Sequence, residues 1–120
     1  MKILIGLFTT GMLLTAVPAP DVSGAWDLTM RWPGDRQSTG VCTFKQDRQK
    51  LTGTCGGADK FPITGAIEDT HLTWHFAVEQ GGTKGEMRFT GELDETGKTI
   101  SGSCVIVDAQ QGTFTMVRQP

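Results

Sequence analysis

The sequence predicts an all-β protein: an eight-stranded antiparallel up-and-down β-barrel or a closely related β-sandwich. Polar and apolar residues alternate along almost every segment after residue 20, and a period of two is typical of strands with one buried face. Clusters of Gly, Asp, Lys and Gln interrupt the alternation every eight to twelve residues, as turns do in a β-meander. We therefore expect one small β domain.

The N-terminal residues have the composition of a secretory leader. Lys2 precedes an uncharged apolar run from Ile3 to Val17, and the run ends in Val17-Pro18-Ala19, which provides the small residues that a signal peptidase needs. A membrane-spanning helix is the competing interpretation, but the run is shorter than the roughly 20 residues that cross a bilayer. We predict a signal peptide over residues 1–19, a barrel domain over residues 20–120, and an exported protein, either periplasmic or extracellular.

Eight strands can be placed in order from the alternation and the turn signals. We predict them at residues 24–32, 39–46, 51–55, 61–67, 71–79, 86–93, 99–107 and 113–118.

Each strand has one apolar face, which we expect to line the interior. Its large members are Trp26, Leu28, Met30, Cys42, Phe44, Leu51, Cys55, Phe61, Ile63, Ile67, Leu72, Trp74, Phe76, Val78, Met87, Phe89, Leu93, Ile100, Cys104, Ile106, Phe114 and Met116. The opposite face is rich in Thr, Ser and charged residues. An outer-membrane barrel would need apolar residues outside, so we expect no stable membrane insertion.

Three hairpins give a check on the strand register. A two-residue turn at Asp69-Thr70 places Ile67 opposite Leu72 and Gly65 opposite Trp74, and the same count around residues 47–50 places Phe44 opposite Gly53. A tight turn at Thr96-Gly97 likewise sets Leu93 opposite Ile100 and Phe89 opposite Cys104. Apolar residues meet apolar residues or glycine throughout, so the hairpins support the meander.

The three cysteines predict one disulfide and one free thiol. Cys42 and Cys55 fall opposite each other on the same face, where the two β-carbons come close enough for a bridge. Cys104 lies on a strand remote from both, so we expect a buried free thiol. Disulfides fit an oxidising compartment, and three dispersed cysteines lack the paired spacing of a zinc site, so no metal site is predicted.

The titratable residues do not assemble into a catalytic group. His71 and His75 sit four apart, which in a strand separates them by roughly 13 Å, so we interpret them as solvated strand residues. The formal net charge is −2 and the basic residues are spread along the chain, which argues against a nucleic-acid partner. We expect no enzymatic activity and no cofactor.

Arg118 is a charged residue in phase with the apolar face of the last strand, and a buried guanidinium needs a partner. Trp26 in the first strand is the natural partner if the first and last strands meet. With Gly24-Ala25-Trp26 at the start and Arg118 at the end, the sequence resembles the lipocalin and avidin superfamily of calycin-type secreted barrels. That resemblance implies a structural role for Trp26 and Arg118, with the basic side chain packed over the tryptophan.

A second resemblance is to small periplasmic inhibitors of bacterial metalloproteases. These share the Gly-x-Trp start, a barrel and one disulfide, and they use a flexible amino-terminal segment. In this chain that segment would be Pro20 to Ser23.

Two functions follow as hypotheses. The first is the binding of a small hydrophobic ligand by the interior aromatic residues Phe44, Phe61, Trp74, Phe76, Phe89 and Phe114. Eight strands leave an interior that is either filled by side chains or able to hold one small ligand, and the sequence leaves both readings open. The alternative is an interaction module, such as an inhibitor of an envelope protease, whose partner is an envelope protein.

Overall fold

The computed structural model shows eight antiparallel strands that close into a barrel. It describes residues 20–80, 82–106 and 109–120, so the predicted signal peptide at residues 1–19 lies outside the described residues. The strands are β1 (Gly24–Trp32), β2 (Arg36–Asp47), β3 (Lys50–Gly56), β4 (Lys60–Glu68), β5 (His71–Gln80), β6 (Thr83–Leu93), β7 (Thr99–Ile106) and β8 (Gln110–Arg118).

The barrel closes because β1 pairs with β2 on one side and with β8 on the other. The β1–β8 ladder runs from Trp26 opposite Arg118 to Arg31 opposite Thr113. Every other strand pairs with its sequence neighbours, so the up-and-down order is confirmed and the sandwich alternative is wrong. Closure leaves none of these eight strands as a full-length edge that could pair with another chain.

The predicted registers agree with the observed pairing. Gly65 lies opposite Trp74 and Ile67 opposite Leu72, while Phe89 lies opposite Cys104. At Gly53, opposite Phe44, an added β-carbon would lie 1.9 Å from the carbonyl oxygen of Thr43. Only glycine fits this close approach between strands, and its φ of 135° is a further reason.

Several strands begin earlier than the alternation predicts. β2 begins at Arg36, β6 at Thr83 and β8 at Gln110, each three residues before the predicted start. These first residues are largely polar, so they carry no apolar period. Backbone pairing nevertheless continues along them, as between Trp32 and Arg36.

The turn between β6 and β7 is wider than the predicted tight turn at Thr96-Gly97. The N–H of Gly97 donates to the carbonyl of Asp94 at 3.0 Å, and Gly97 has a φ of 75°. The Asp94 carboxylate accepts hydrogen bonds from the Thr96 hydroxyl and the N–H groups of Lys98 and Thr99. These bonds lower the pKa of Asp94 and show why an acid occupies this turn.

The two ends of the barrel differ. We call the end that holds the start of β1 and the end of β8 the closed end, and the opposite end, where β1 joins β2 and β3 joins β4, the open end. At the closed end the side chains of Trp26, Leu51, Leu72, Ile100 and Met116 are fully buried. At the open end Met30, Trp32, Phe61, Val78 and Ile106 are only partly buried.

Residues 20–23 cover the closed end, so the prediction of a flexible segment at Pro20 to Ser23 is wrong. Val22 is fully buried, and its carbonyl accepts the indole N–H of Trp26 at 2.9 Å. The side chain of Gln46 bonds both to the N–H of Val22 and to the carbonyl of Pro20. The segment lacks any repeating pattern, which is why the sequence alone gives no sign of its burial.

Arg118 fastens this segment to the barrel. Its guanidinium lies over the Trp26 ring, 4.5 Å from the ring centroid. Two of its nitrogens donate to the carbonyls of Ser23 at 3.0 Å and Asp21 at 2.8 Å. Its Nε lies 3.3 Å from the carbonyl of Gly97. The charged group is therefore half-buried, and each of its three nitrogens has an acceptor, which offsets much of the cost of burying it.

Candidate ligand-binding site at the open end

The middle of the barrel is filled by an aromatic cluster. Trp74 stacks on Phe89 with ring centroids 4.9 Å apart. Phe44 and Phe114 meet the Trp74 ring edge-to-face, at 5.1 Å and 5.5 Å. All four side chains are almost fully buried. The rings pack closely through stacked and edge-to-face contacts. The cluster therefore forms a closed floor beneath the open end.

In the described part of the chain, the indole N–H of Trp74 is a buried side-chain polar group that makes no hydrogen bond. The ring is instead surrounded by Phe44, Phe89 and Phe114. An unmade hydrogen bond of this kind costs about 1–3 kcal/mol, so the interior is packed for shape at some expense in polar pairing.

Above the cluster lies an apolar cavity with a volume of about 200 Å³. Phe61 and Phe76 form part of its wall and stack in parallel, with centroids 5.3 Å apart and planes 9° apart. Phe89 contributes from below. The remaining lining residues are Leu28, Met30, Thr39, Gly40, Cys55, Gly56, Gly57, Val78 and Met87.

A wider vestibule of about 750 Å³ opens at the rim beside this cavity. Met30 and Met87 line both spaces, so they stand between the vestibule and the cavity. Trp32 and Ile106 continue the apolar lining outward, while Arg36, Gln37, Ser38 and Gln110 provide its polar groups. Methionine side chains are flexible and polarisable, which suits them to a boundary that adapts to an occupant.

The six aromatic residues predicted for ligand binding divide into two groups. Phe61, Phe76 and Phe89 line the cavity. Phe44, Trp74 and Phe114 instead fill the middle of the barrel and do not line the cavity. Leu28, Met30, Val78 and Met87 line the cavity but were absent from the predicted set. These four residues alternate in phase with the inward-facing aromatic residues, and this alternation is the sequence feature from which they could have been predicted.

The cysteines occupy inward positions as predicted. The Cys42–Cys55 disulfide is confirmed, and Cys55 also lines the cavity. Cys104 is a free, fully buried thiol, and burial raises its pKa to about 11. A thiol in this setting stays protonated and is a poor nucleophile.

The two histidines lie on the outer face, away from the cavity. His71 Nδ1 is 2.6 Å from a Glu92 carboxylate oxygen, and His75 Nδ1 is 3.1 Å from Glu86. Arg88 also contacts Glu86, at 2.9 Å. The two histidine contacts join β5 to β6 and the Arg88 contact lies within β6; all are largely exposed, so each contributes little to stability.

Comparison with solved structures places the fold among redesigned β-barrels. One redesigned β-barrel superposes with a TM-score of 0.64 and 17% identity, covering 88% of this chain and 100% of its own. Another, the redesigned barrel mFAP1 bound to DFHBI, has a TM-score of 0.61 and 19% identity, covering 81% of this chain and 94% of its own. Likenesses at these identities show the fold. No protein-family model and no curated protein matches the chain.

The structure contains no helix, among residues 20–80, 82–106 and 109–120, that is long and apolar enough to cross a membrane.

Proposed function

We propose that this protein binds one small apolar, ring-containing ligand in the cavity at the open end and carries out no catalysis. The observation that carries the proposal is the apolar cavity above a packed aromatic floor, with an adjoining vestibule at the rim. Binding sites of this kind are concave and mostly apolar, with a few polar groups near the entrance. A barrel filled along its whole length would lack such a space.

The size and lining of the cavity point to a compound with one or two rings. An apolar protein cavity of about 150 Å³ is enough for benzene, and this cavity has a volume of about 200 Å³. The stacked Phe61 and Phe76 rings, 5.3 Å apart, present flat apolar surface, and Met30 and Met87 offer polarisable contacts. Flat, polarisable ligands gain most from such walls.

Two comparisons support the proposal by analogy. A redesigned barrel of the same fold was solved with a small molecule, DFHBI, bound. The resemblance of Gly24-Ala25-Trp26 and Arg118 to lipocalin and avidin sequences points to the calycin type of secreted barrel. The Cys42–Cys55 disulfide is compatible with an exported protein, and we propose export to the periplasm or the extracellular space.

Isothermal titration calorimetry with 2-naphthol and indole tests this proposal, with two matched Val→Phe variants. Val78→Phe places a ring in the cavity, whereas Val117→Phe places the same ring at a position that is 50% exposed on the outer face. We expect the wild type and Val117→Phe to bind at least one compound equally. Val78→Phe should bind at least about tenfold more weakly, because its ring fills the site.

Two results would reject the binding proposal. One is the absence of heat from both compounds with the wild-type protein at two well-separated temperatures, because apolar burial changes the heat capacity and the binding enthalpy cannot be zero at both. The other is equal binding by Val78→Phe and Val117→Phe, which would mean that the compounds bind elsewhere on the surface.

The inhibitor hypothesis loses one of the features that support it. It requires a free segment at Pro20 to Ser23, whereas Val22 is buried and the segment is bonded to Gln46 and Arg118. A segment that closes the barrel cannot enter a protease cleft without opening the closed end. We therefore retain ligand binding as the proposed function.

A further inference from the structure

The seam between β4 and β5 is incomplete at the open end. Their paired residues run from Glu68 opposite His71 to Thr64 opposite His75 and stop there. Both strands continue beyond that point, β4 to Lys60 and β5 to Gln80. The continuing residues of β5 pair only with β6, as between Ala77 and Glu86.

Pro62 gives this interruption a physical cause. Glu68 and His71 flank a two-residue turn, so they form a hydrogen-bonded pair and every second pair after them does the same. The N–H of Ile67 donates to the carbonyl of Gln49, on the β3 side of the strand. The backbone N–H groups of the even-numbered residues of β4 therefore point toward β5. The next hydrogen-bonded position after Thr64 is Pro62, opposite Ala77, and proline has no N–H to donate.

The other flank of the same hairpin is paired only as far as Gly56. The ladder between β2 and β3 ends at Val41 opposite Gly56, whereas β2 continues to Arg36. Residues 57–62, which we call the lid, therefore pair only with β3 of their own hairpin, through Lys60 to Pro62, and have no ladder to β2 or β5. Segments that lack such bonds open at a lower free energy than the rest of a sheet.

The lid forms one side of the cavity. Gly56, Gly57 and Phe61 line the cavity, and the Phe61 ring stacks on Phe76 across the unpaired seam. Gly56 also adjoins a depression on the outer surface that includes Gly57 and Lys60. At the base of the lid, the Cys42–Cys55 bridge fixes the residue before Gly56, and Gly56 has a φ of 148°, which suits it to act as a hinge.

We propose that the lid swings outward from β5 and that the ligand enters the cavity sideways through the β4–β5 seam. The Phe61–Phe76 stack closes this route, and the missing N–H of Pro62 keeps it from being sealed by backbone pairing. The entry route rests on the proposed function. The open seam itself does not, and it is measurable without a ligand.

The first test is amide hydrogen exchange followed by NMR on the folded protein. The N–H groups of Thr73, His75, Ala77 and Glu79 all face β4, because alternate residues of β5 face the same neighbour. Thr73 and His75 lie within the ladder, whereas Ala77 and Glu79 lie beyond it. We expect Ala77 and Glu79 to exchange at least about tenfold faster than Thr73 and His75.

Pro62→Val and Ala66→Val make a matched pair for the second test. Both place valine on the exposed outer face of β4, but only Pro62→Val adds an N–H at the interrupted position. We expect Pro62→Val to slow exchange at Ala77 by at least about tenfold and to slow the association and dissociation of 2-naphthol. Ala66→Val should leave both unchanged.

The outcomes separate the two proposals. Wild-type protection at Ala77 and Glu79 equal to that at Thr73 would overturn the lid, and ligand binding would stand. Unchanged 2-naphthol kinetics in Pro62→Val, despite slowed exchange at Ala77, would overturn the sideways entry route. Failure of both 2-naphthol and indole to bind the wild type would overturn the binding site and the entry route together, whatever the exchange pattern.

Discussion

Replacing Arg118 with alanine removes the group that ties the closed end together. The guanidinium covers the Trp26 ring at 4.5 Å and donates to Asp21 and Ser23 of the N-terminal segment. It also reaches Gly97 in the loop between β6 and β7. Arg118→Ala therefore leaves three carbonyls without their donor and uncovers the face of a buried indole.

The expected loss is about 2–4 kcal/mol. A cation over an indole contributes about 1 kcal/mol at a partly exposed site. Each of the two shorter hydrogen bonds contributes about 1 kcal/mol after allowance for solvent, and the 3.3 Å contact to Gly97 adds less. For a domain of about 100 residues, this corresponds to a fall in melting temperature of about 10–20 °C.

Urea unfolding followed by tryptophan fluorescence measures the loss, with Arg88→Ala as the control. The Arg88 side chain is 64% exposed and pairs with Glu86 on the outer face, so its removal should cost less than about 0.5 kcal/mol. Arg118→Lys should fall between the two, because lysine keeps the charge but lacks the planar fork. Equal stabilities of Arg118→Ala and Arg88→Ala would refute the reasoning.

Two further predictions follow from buried groups. Val22→Ala should lower the free energy of unfolding by about 1–3 kcal/mol, because Val22 is fully buried. Val117→Ala, at a half-exposed site, should change it by less than about 0.5 kcal/mol. Equal denaturation midpoints for the two variants would mean that residues 20–23 do not close the barrel. Cys104 should resist a thiol reagent at about pH 8 in the folded protein and react once the chain is unfolded. Its pKa is raised to about 11 from 9.0, so its ionisation favours the unfolded chain and stability should fall as the pH rises through this interval. Rapid labelling of the native thiol, or an identical alkaline loss of stability in Cys104→Ala, would contradict the burial argument.

The alternation of side chains carried most of the information that the sequence held about the fold. Because side chains on a strand point to opposite faces in turn, the inward phase of Trp74, Phe89 and Cys104 could be read directly. The short turns then set the registers, since a shift by one residue would turn every apolar side chain outward. The pairing of Cys42 with Cys55 followed from the same count.

The candidate site was only partly predictable. Phase distinguishes inside from outside, but it says nothing of height along the barrel axis. Phe44 and Phe61 share the same phase, yet Phe44 fills the centre and Phe61 lines the cavity. Their heights depend on the tilt and stagger of the closed strands.

The sequence by itself determined the strand order, the inner face, the disulfide and the packing of Arg118 over Trp26. Only the tertiary structure decided which end is plugged and which is open. Val22 is buried because Gln46 and Arg118, from distant strands, bond to Val22 and to Ser23. The β4–β5 turn sets Pro62 opposite Ala77, but only the structure shows that the ladder stops at Thr64 and His75. Periodicity is a local property that the backbone imposes on each strand, whereas the plug depends on residues that meet only when the barrel closes.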